Sequence, residues 1–156
     1  MKYTNQTISF QELPSEISLV FEISNCPNRC KGCHTPELQS DIGDELTLSV
    51  LQEAIIKNSI NQTPLFSCVL FMGGDQHPEL IPLLQYCKQQ NLKIGLYTGN
   101  NNVSNELKQL LDYLKVGPYI EELGGLDSEK TNQVLYRIIH NSNNFNLEKI
   151  NMIRSR

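Results

Sequence analysis

Three cysteines stand in the run Asn25-Cys26-Pro27-Asn28-Arg29-Cys30-Lys31-Gly32-Cys33-His34, spaced C-x3-C-x2-C. Thiolate is a soft ligand suited to iron–sulfur clusters and to zinc. Three thiolates can hold a cluster of four irons and leave the fourth iron without a protein ligand, whereas an electron-transfer ferredoxin closes every iron with cysteine. An open iron can bind a substrate, so this spacing points to chemistry and not only to electron storage. Pro27 and Gly32 suit a loop that wraps tightly and leaves its backbone accessible. Zinc is the rival occupant, with Cys26, Cys30, Cys33 and His34 as nominal ligands. Ligands adjacent at 33 and 34 crowd a tetrahedral ion, and no second C-x-x-C or H-x-H group follows. A purely structural role fits poorly, because loop thiols left bare are open to oxidation.

A second group of interest is Gly73-Gly74-Asp75. Glycine lets a backbone approach a ligand closely, and an acid beside it offers a charge-assisted acceptor for an ammonium group. A tight turn is the plainer explanation of an isolated Gly-Gly. The other two cysteines differ from the triplet. Cys68 lies in the apolar run Phe66-Ser67-Cys68-Val69-Leu70-Phe71, and Cys87 follows Leu80, Leu83 and Leu84 at helical spacing. Both read as small buried hydrophobes. His34 alone is weak evidence for chemistry, and His77 and His140 read as packing residues.

The elements that must position these groups alternate between strand and helix. Ile17–Ile23 reads as a strand, with Ile8 to Gln11 as a partner before the turn at Pro14 and Ser15. Leu48, Leu51 and Ile55 line one helical face, with Thr47 or Ser49 as the cap. Cys68–Met72 is a second, buried strand. Leu80, Leu83, Leu84 and Cys87 follow the i, i+3, i+4, i+7 pattern of an amphipathic helix, with Pro82 tolerated only in its first turn. Lys93–Tyr97 is a third strand, Leu107, Leu110 and Leu111 mark another helix, and Tyr113–Val116 is a fourth strand. Gln133–Ile139 is a further strand candidate, and the Asn-rich tail from Asn141 is left unassigned. Strand–helix alternation implies parallel pairing with right-handed crossovers. Four units are too few for a closed eight-stranded barrel of about 250 residues. The expected fold is therefore α/β, an open, partial parallel β/α barrel. The cysteine loop follows the first strand, Gly73-Gly74-Asp75 the second, Thr98-Gly99 the third and Gly117-Pro118 the fourth. In a parallel sheet all four fall on one edge, beyond the carboxyl ends of the strands, where such folds place ligands.

The 156 residues suit one domain with its own core. A net charge of −4 and a pI near 5.4 argue against non-specific nucleic-acid binding. No run of about 18 apolar residues exists, so no membrane span is expected. The polar Met1–Gln6 segment lacks a signal-peptide core. Five cysteines, an odd number, fit a disulfide framework poorly. A cytoplasmic protein with reduced thiols is the expectation.

C-x3-C-x2-C after one strand with Gly-Gly-acid after the next resembles the radical S-adenosylmethionine superfamily. Within it, Cys30-Lys31-Gly32-Cys33-His34-Thr35-Pro36-Glu37, Asp112-Tyr113-Leu114-Lys115-Val116-Gly117-Pro118-Tyr119 and Thr131-Asn132-Gln133-Val134-Leu135-Tyr136 resemble the anaerobic ribonucleoside-triphosphate reductase-activating proteins. The superfamily usually has an aromatic residue before the last cysteine, whereas Gly32 stands here, as in those activators. Its usual acid after Gly-Gly is glutamate, and Asp75 is one methylene shorter. The resemblance covers most of residues 16 to 139 and implies a single radical S-adenosylmethionine domain over 1–156, with the tail 141–156 unassigned.

The resemblance also implies a chemistry. Cys26, Cys30 and Cys33 bind a 4Fe–4S cluster whose open iron chelates the amino and carboxylate groups of S-adenosylmethionine. The reduced cluster cleaves the sulfonium to methionine and a 5′-deoxyadenosyl radical. That radical takes a hydrogen atom from a glycine of a large partner, the anaerobic ribonucleoside-triphosphate reductase. Gly32 and His34 flank the last cluster ligand and meet the adenine by their backbone, and Gly73, Gly74 and Asp75 receive the methionine amino group. Thr98 and Gly99 form a polar strand end near the cofactor, and Lys115 meets the carboxylate. No catalytic residue beyond cluster and cofactor is required, because the abstraction is homolytic. The electron comes from an external flavodoxin or ferredoxin. Alternatives are activation of a different glycyl-radical enzyme, radical chemistry on a small molecule, a zinc-binding interaction module and a simple electron carrier.

Overall fold

The computed structural model describes residues 1–142 and 144–152. Its strands and helices, in chain order, are β1 Lys2–Ser9, β2 Ser18–Ile23, a short 3-10 helix Pro36–Gln39, β3 Asp44–Glu45, α1 Leu48–Lys57, β4 Ser59–Ile60, β5 Thr63–Pro64, β6 Cys68–Met72, α2 Leu80–Gln89, β7 Lys93–Tyr97, α3 Asn105–Leu110, β8 Tyr113–Val116, β9 Val134–Asn141 and β10 Asn144–Ile150. One sheet of eight strands runs β10-β9-β8-β7-β6-β2-β1-β3, and β4 and β5 form a separate small hairpin. The central strands β2, β6, β7 and β8 pair in parallel, and every flanking pair is antiparallel.

This corrects the expected partial parallel β/α barrel. The fold is a mixed sheet with few helices, because strand–helix alternation holds only from β2 to β8. The segment 10–17 between β1 and β2 has no room for a crossover, which needs a dozen or more residues, so β1 returns antiparallel. Beyond β8, residues 117–133 form turns and the isolated bridge Ile120–Gly124 rather than a helix, and β9 also returns antiparallel. Two details of the sequence reading change as well. The partner of β2 is Lys2–Ser9 rather than Ile8–Gln11, and part of the unassigned tail is β10, while Asn143 and residues 153–156 of that tail lie outside the described residues.

Local chemistry sets the helices. Thr47 caps α1, its Oγ1 accepting from the Val50 amide at 3.3 Å. Ser104 does the same for α3 through the Leu107 amide at 3.2 Å. Pro82 sits in the first turn of α2, where a missing N–H costs nothing. The apolar stripes Leu51-Ala54-Ile55 and Leu80-Leu83-Leu84-Cys87 pack on one face of the sheet against Leu19, Phe21, Val69, Phe71, Ile94 and Leu96. The other face carries a smaller cluster of Leu13, Val20, Cys68, Leu70, Tyr113 and Leu135. Burial on both faces explains why β2 and β6 are nearly continuous apolar runs.

At the amino-terminal edge of the four parallel strands a single carboxylate ties them together. Glu16 precedes β2 and is 5% exposed. It accepts from Ser67 Oγ, just before β6, at 2.6 Å, from Tyr113 Oη, at the start of β8, at 2.6 Å, and from Lys93 Nζ, at the start of β7. Burial pushes the Glu16 carboxyl up, but the hydrogen bonds from Lys93, Ser67 and Tyr113 outweigh it and hold the group below its ordinary value.

Candidate functional site

The opposite, carboxyl edge is built from loops that leave the parallel strands. After β2 the chain turns through Asn25 with φ 58° and enters the cysteine loop. That loop is tied down at its base by its own continuation: Asn25 N donates to Ser40 O at 3.0 Å, Cys26 N to Leu38 O at 2.8 Å, and Ser24 Oγ to Ile42 O at 2.6 Å. Gln39 Nε2 donates to the Cys30 carbonyl at 3.3 Å, so the 3-10 helix braces the middle of the loop. The neighbouring strand ends are cross-linked in the same way. Gly73 N donates to Tyr97 O at 2.7 Å, Thr98 N to Lys115 O at 2.9 Å, and Gly117 N to Asn100 O at 3.1 Å.

These loops enclose a cavity of about 180 Å³. Of the residues singled out from sequence, Cys26, Cys30, Cys33, Gly73, Gly74, Asp75, Thr98, Gly99 and Lys115 all line it. Gly73 and Gly74 have φ of +96° and +98°, a region that other residues rarely enter, so the wall here carries bare backbone. Gly32 and His34 do not line the cavity. A Cβ at Gly32 would meet the Glu121 carboxyl at 3.0 Å, and the His34 ring lies against Tyr119 with centroids 4.7 Å apart. Both side-chain positions meet the loop after β8, whose Tyr119 also lines the cavity.

Electrostatics concentrate on Lys115 and Asp75. Burial pulls the Lys115 ammonium down to about 8 from its ordinary 10.5, while Cys30, Cys26 and Cys33 act in the opposite direction. All three thiols are therefore within electrostatic reach of this one cation, whose Nζ donates to Gly117 O at 3.1 Å. Asp75 Oδ2 accepts from Asn100 Nδ2 at 2.7 Å, which fixes the carboxylate on the cavity wall. Cys68 and Cys87 lie apart, fully buried in the two core clusters. Burial raises both thiols, that of Cys87 to about 12, so neither offers a thiolate. His140 lies far along β9, its Nε2 donating to Leu111 O at 2.7 Å.

Sequence reasoning missed Asn28, Thr35, Gln39, Tyr97 and Tyr119, which also line the cavity, and Asn100, which holds Asp75. Among the described residues no group of three or more His, Cys, Asp and Glu is arranged to hold a single metal ion. The three free thiols instead border a space larger than one ion. Their softness and their placement around bare backbone fit a polynuclear iron–sulfur group.

A thiol-lined cavity beyond the carboxyl ends of a parallel strand set defines an iron–sulfur class of protein. The chain belongs to the 4Fe-4S single cluster domain family, whose sequence model matches residues 17–147. No curated protein matches. Among solved structures, a threonine aldolase from Leishmania major is similar at 13% identity over 64% of this chain and 36% of its own, with a TM-score of 0.38. That overlap is too partial to bear on fold or activity. Among the described residues no helix is long and apolar enough to cross a membrane.

Proposed function

We propose that this chain is a radical S-adenosylmethionine enzyme, a cytoplasmic activase that generates the glycyl radical of an anaerobic ribonucleoside-triphosphate reductase with electrons from a flavodoxin or ferredoxin. The observation that carries the reading is the convergence of the cysteine triplet, Gly73-Gly74-Asp75, Thr98-Gly99 and Lys115 on one cavity. When bound, a reduced 4Fe–4S cluster supplies one electron to the sulfonium of S-adenosylmethionine, giving methionine and a 5′-deoxyadenosyl radical that takes a hydrogen atom from the partner's glycine.

In this reading Cys26, Cys30 and Cys33 hold three irons, and no fourth cysteine of the loop competes for the remaining one. Gly73 and Gly74 let the methionine end approach the backbone without a Cβ in the way. Asp75 accepts from the methionine ammonium, oriented by the Asn100 carboxamide. Lys115, whose ammonium burial disfavours, gains a carboxylate beside the thiolates as a partner for its charge. Thr98 and Gly99 line the wall at the end of β7, with Gly99 beside Asn28 of the cysteine loop. Met72, Tyr97 and Tyr119 supply apolar surface that limits water. The single domain is open toward solvent at this edge, so the partner's glycine-bearing loop completes the enclosure.

Anaerobically reconstituted, reduced protein is expected to cleave S-adenosylmethionine and, mixed with the reductase, to give a glycyl doublet by electron paramagnetic resonance. Cleavage without a doublet would move the assignment to another glycyl-radical enzyme or a small-molecule substrate. Iron loading without cleavage would reject radical chemistry and leave an electron carrier. Cys30→Ala should lower cluster content severalfold and abolish cleavage, while an unaffected variant would reject that ligand.

A further inference from the structure

Asn28 lies inside the cysteine loop and is half-buried on the cavity wall. Its Nδ2 donates toward Cys26 Sγ at 3.9 Å. Its other neighbour is the turn after β7. A Cβ added to Gly99 would stand 2.7 Å from Asn28 Nδ2, 2.8 Å from its Cγ and 3.3 Å from its Cβ. Gly99 is not among the positive-φ residues, so its backbone admits any side chain. What glycine provides at 99 is room, and the group that occupies this room is the Asn28 carboxamide.

We infer that Asn28 is a positioning residue that tunes the cluster, donating an N–H to the sulfur of Cys26, and that the bare backbone of Gly99 on the neighbouring strand leaves the room this carboxamide occupies. The inference rests on Cys26 being a cluster ligand, as in the function proposed above. The physical argument is electrostatic. An N–H dipole aimed at a ligand sulfur stabilises negative charge there. The reduced cluster carries one more negative charge than the oxidised one, so the donor favours reduction. Hydrogen bonds to the sulfurs are among the determinants of cluster potential, and groups behind the ligands commonly set it. Cys33 has a counterpart in the Thr35 hydroxyl, also 3.9 Å from its sulfur, but that pair is local to the loop. Of these two donors it is Asn28 that also abuts a second strand end, at Gly99.

The test compares wild type, Asn28→Ala, Gly99→Ala and the double variant, each reconstituted anaerobically and assayed for iron and sulfide. The midpoint of the one-electron couple is then measured by titration with dithionite, without S-adenosylmethionine, so that any contact of Gly99 with that cofactor plays no part. Both single variants should titrate at a more negative potential than wild type. The double variant should shift no further than Asn28→Ala, because the Gly99 substitution acts through the carboxamide already removed. An unchanged or more positive midpoint in a fully loaded Asn28→Ala protein overturns the inference, as does a double shift equal to the sum of the singles. If Asn28→Ala does not load, Gly99→Ala decides alone: a wild-type midpoint overturns the inference. Cys26→Ala separates the two levels, since full iron content in that variant sinks the ligand assignment itself rather than the role of Asn28.

Discussion

Asp75 is where the side-chain chemistry of the site is most exposed to test. Its carboxylate is shorter than the glutamate usual in the superfamily it resembles, yet Asn100 donates to one oxygen at 2.7 Å and orients it. An oriented short acid can substitute for a longer, mobile one. Charge-assisted hydrogen bonds contribute about 1.5–3 kcal/mol, so Asp75→Ala should weaken S-adenosylmethionine binding to the loaded protein roughly tenfold or more. Equilibrium binding without turnover measures this, and unchanged affinity would take Asp75 out of the site. At this scale the cysteines were legible in the sequence, since thiols at fixed short spacing have few other uses. Asp75, Thr98 and Gly99 could be placed on the cavity edge by their positions after successive strands, and Lys115, inside β8, by the family resemblance. Asn28 and Asn100 were not legible, because a carboxamide in a loop looks like ordinary turn chemistry, and its partner, a sulfur in one case and Asp75 in the other, is visible only in three dimensions. Gly32 and His34 came from the resemblance through their backbone beside Cys33, and their side-chain positions meet Glu121 and Tyr119 instead of lining the cavity.

The strands and helices carry the site by keeping four strand ends level. In the middle of β7, a Cβ at Gly95 would lie 2.8 Å from Leu70 Cδ1 and 3.1 Å from Leu13 Cδ1. Overpacking of this kind costs about 1–3 kcal/mol, so Gly95→Ala should lower the denaturant midpoint measurably. A wild-type midpoint would show that Leu13 and Leu70 move aside freely. At the far edge, Glu16 joins the starts of β2, β6, β7 and β8. Its carboxyl is depressed on folding, so its stabilisation is complete above the unfolded value of 4.5 and is lost as pH falls through the lower folded value. Glu16→Gln should therefore destabilise most near neutrality, and the difference from wild type should shrink as the medium is acidified below about pH 4. A difference that stays constant with pH would contradict the network. The parallel strands were readable because burial on both faces makes them short, apolar and bounded by turns. β1 and β10 were misread or missed because each has one exposed face and a polar composition, KYTNQTIS and NFNLEKI, that dilutes the alternation.

Over the whole molecule, strand–helix alternation describes only the part from β2 to β8. Periodicity reports which residues are buried but not whether the next strand runs parallel. Connection length and the presence of a crossover helix decide that, and the segments on both sides of the β2–β8 unit lack one. The sheet therefore ends in antiparallel pairs instead of curling through further β/α units. The placement of the site survives this correction, since it depends only on the shared carboxyl edge of the four central strands. The membership of residues 17–147 in a single-cluster 4Fe–4S family agrees with one thiol-lined cavity, built from a loop that three flanking strand ends enclose.

The proposed function requires that three cysteines hold this cluster and leave one iron open to a ligand. It is tested most directly by electron paramagnetic resonance of the reduced, reconstituted protein before and after addition of S-adenosylmethionine. A single 4Fe–4S signal per chain is expected, with g values that change when the nucleotide binds. A signal that S-adenosylmethionine leaves unaltered, at concentrations that saturate binding, would contradict it.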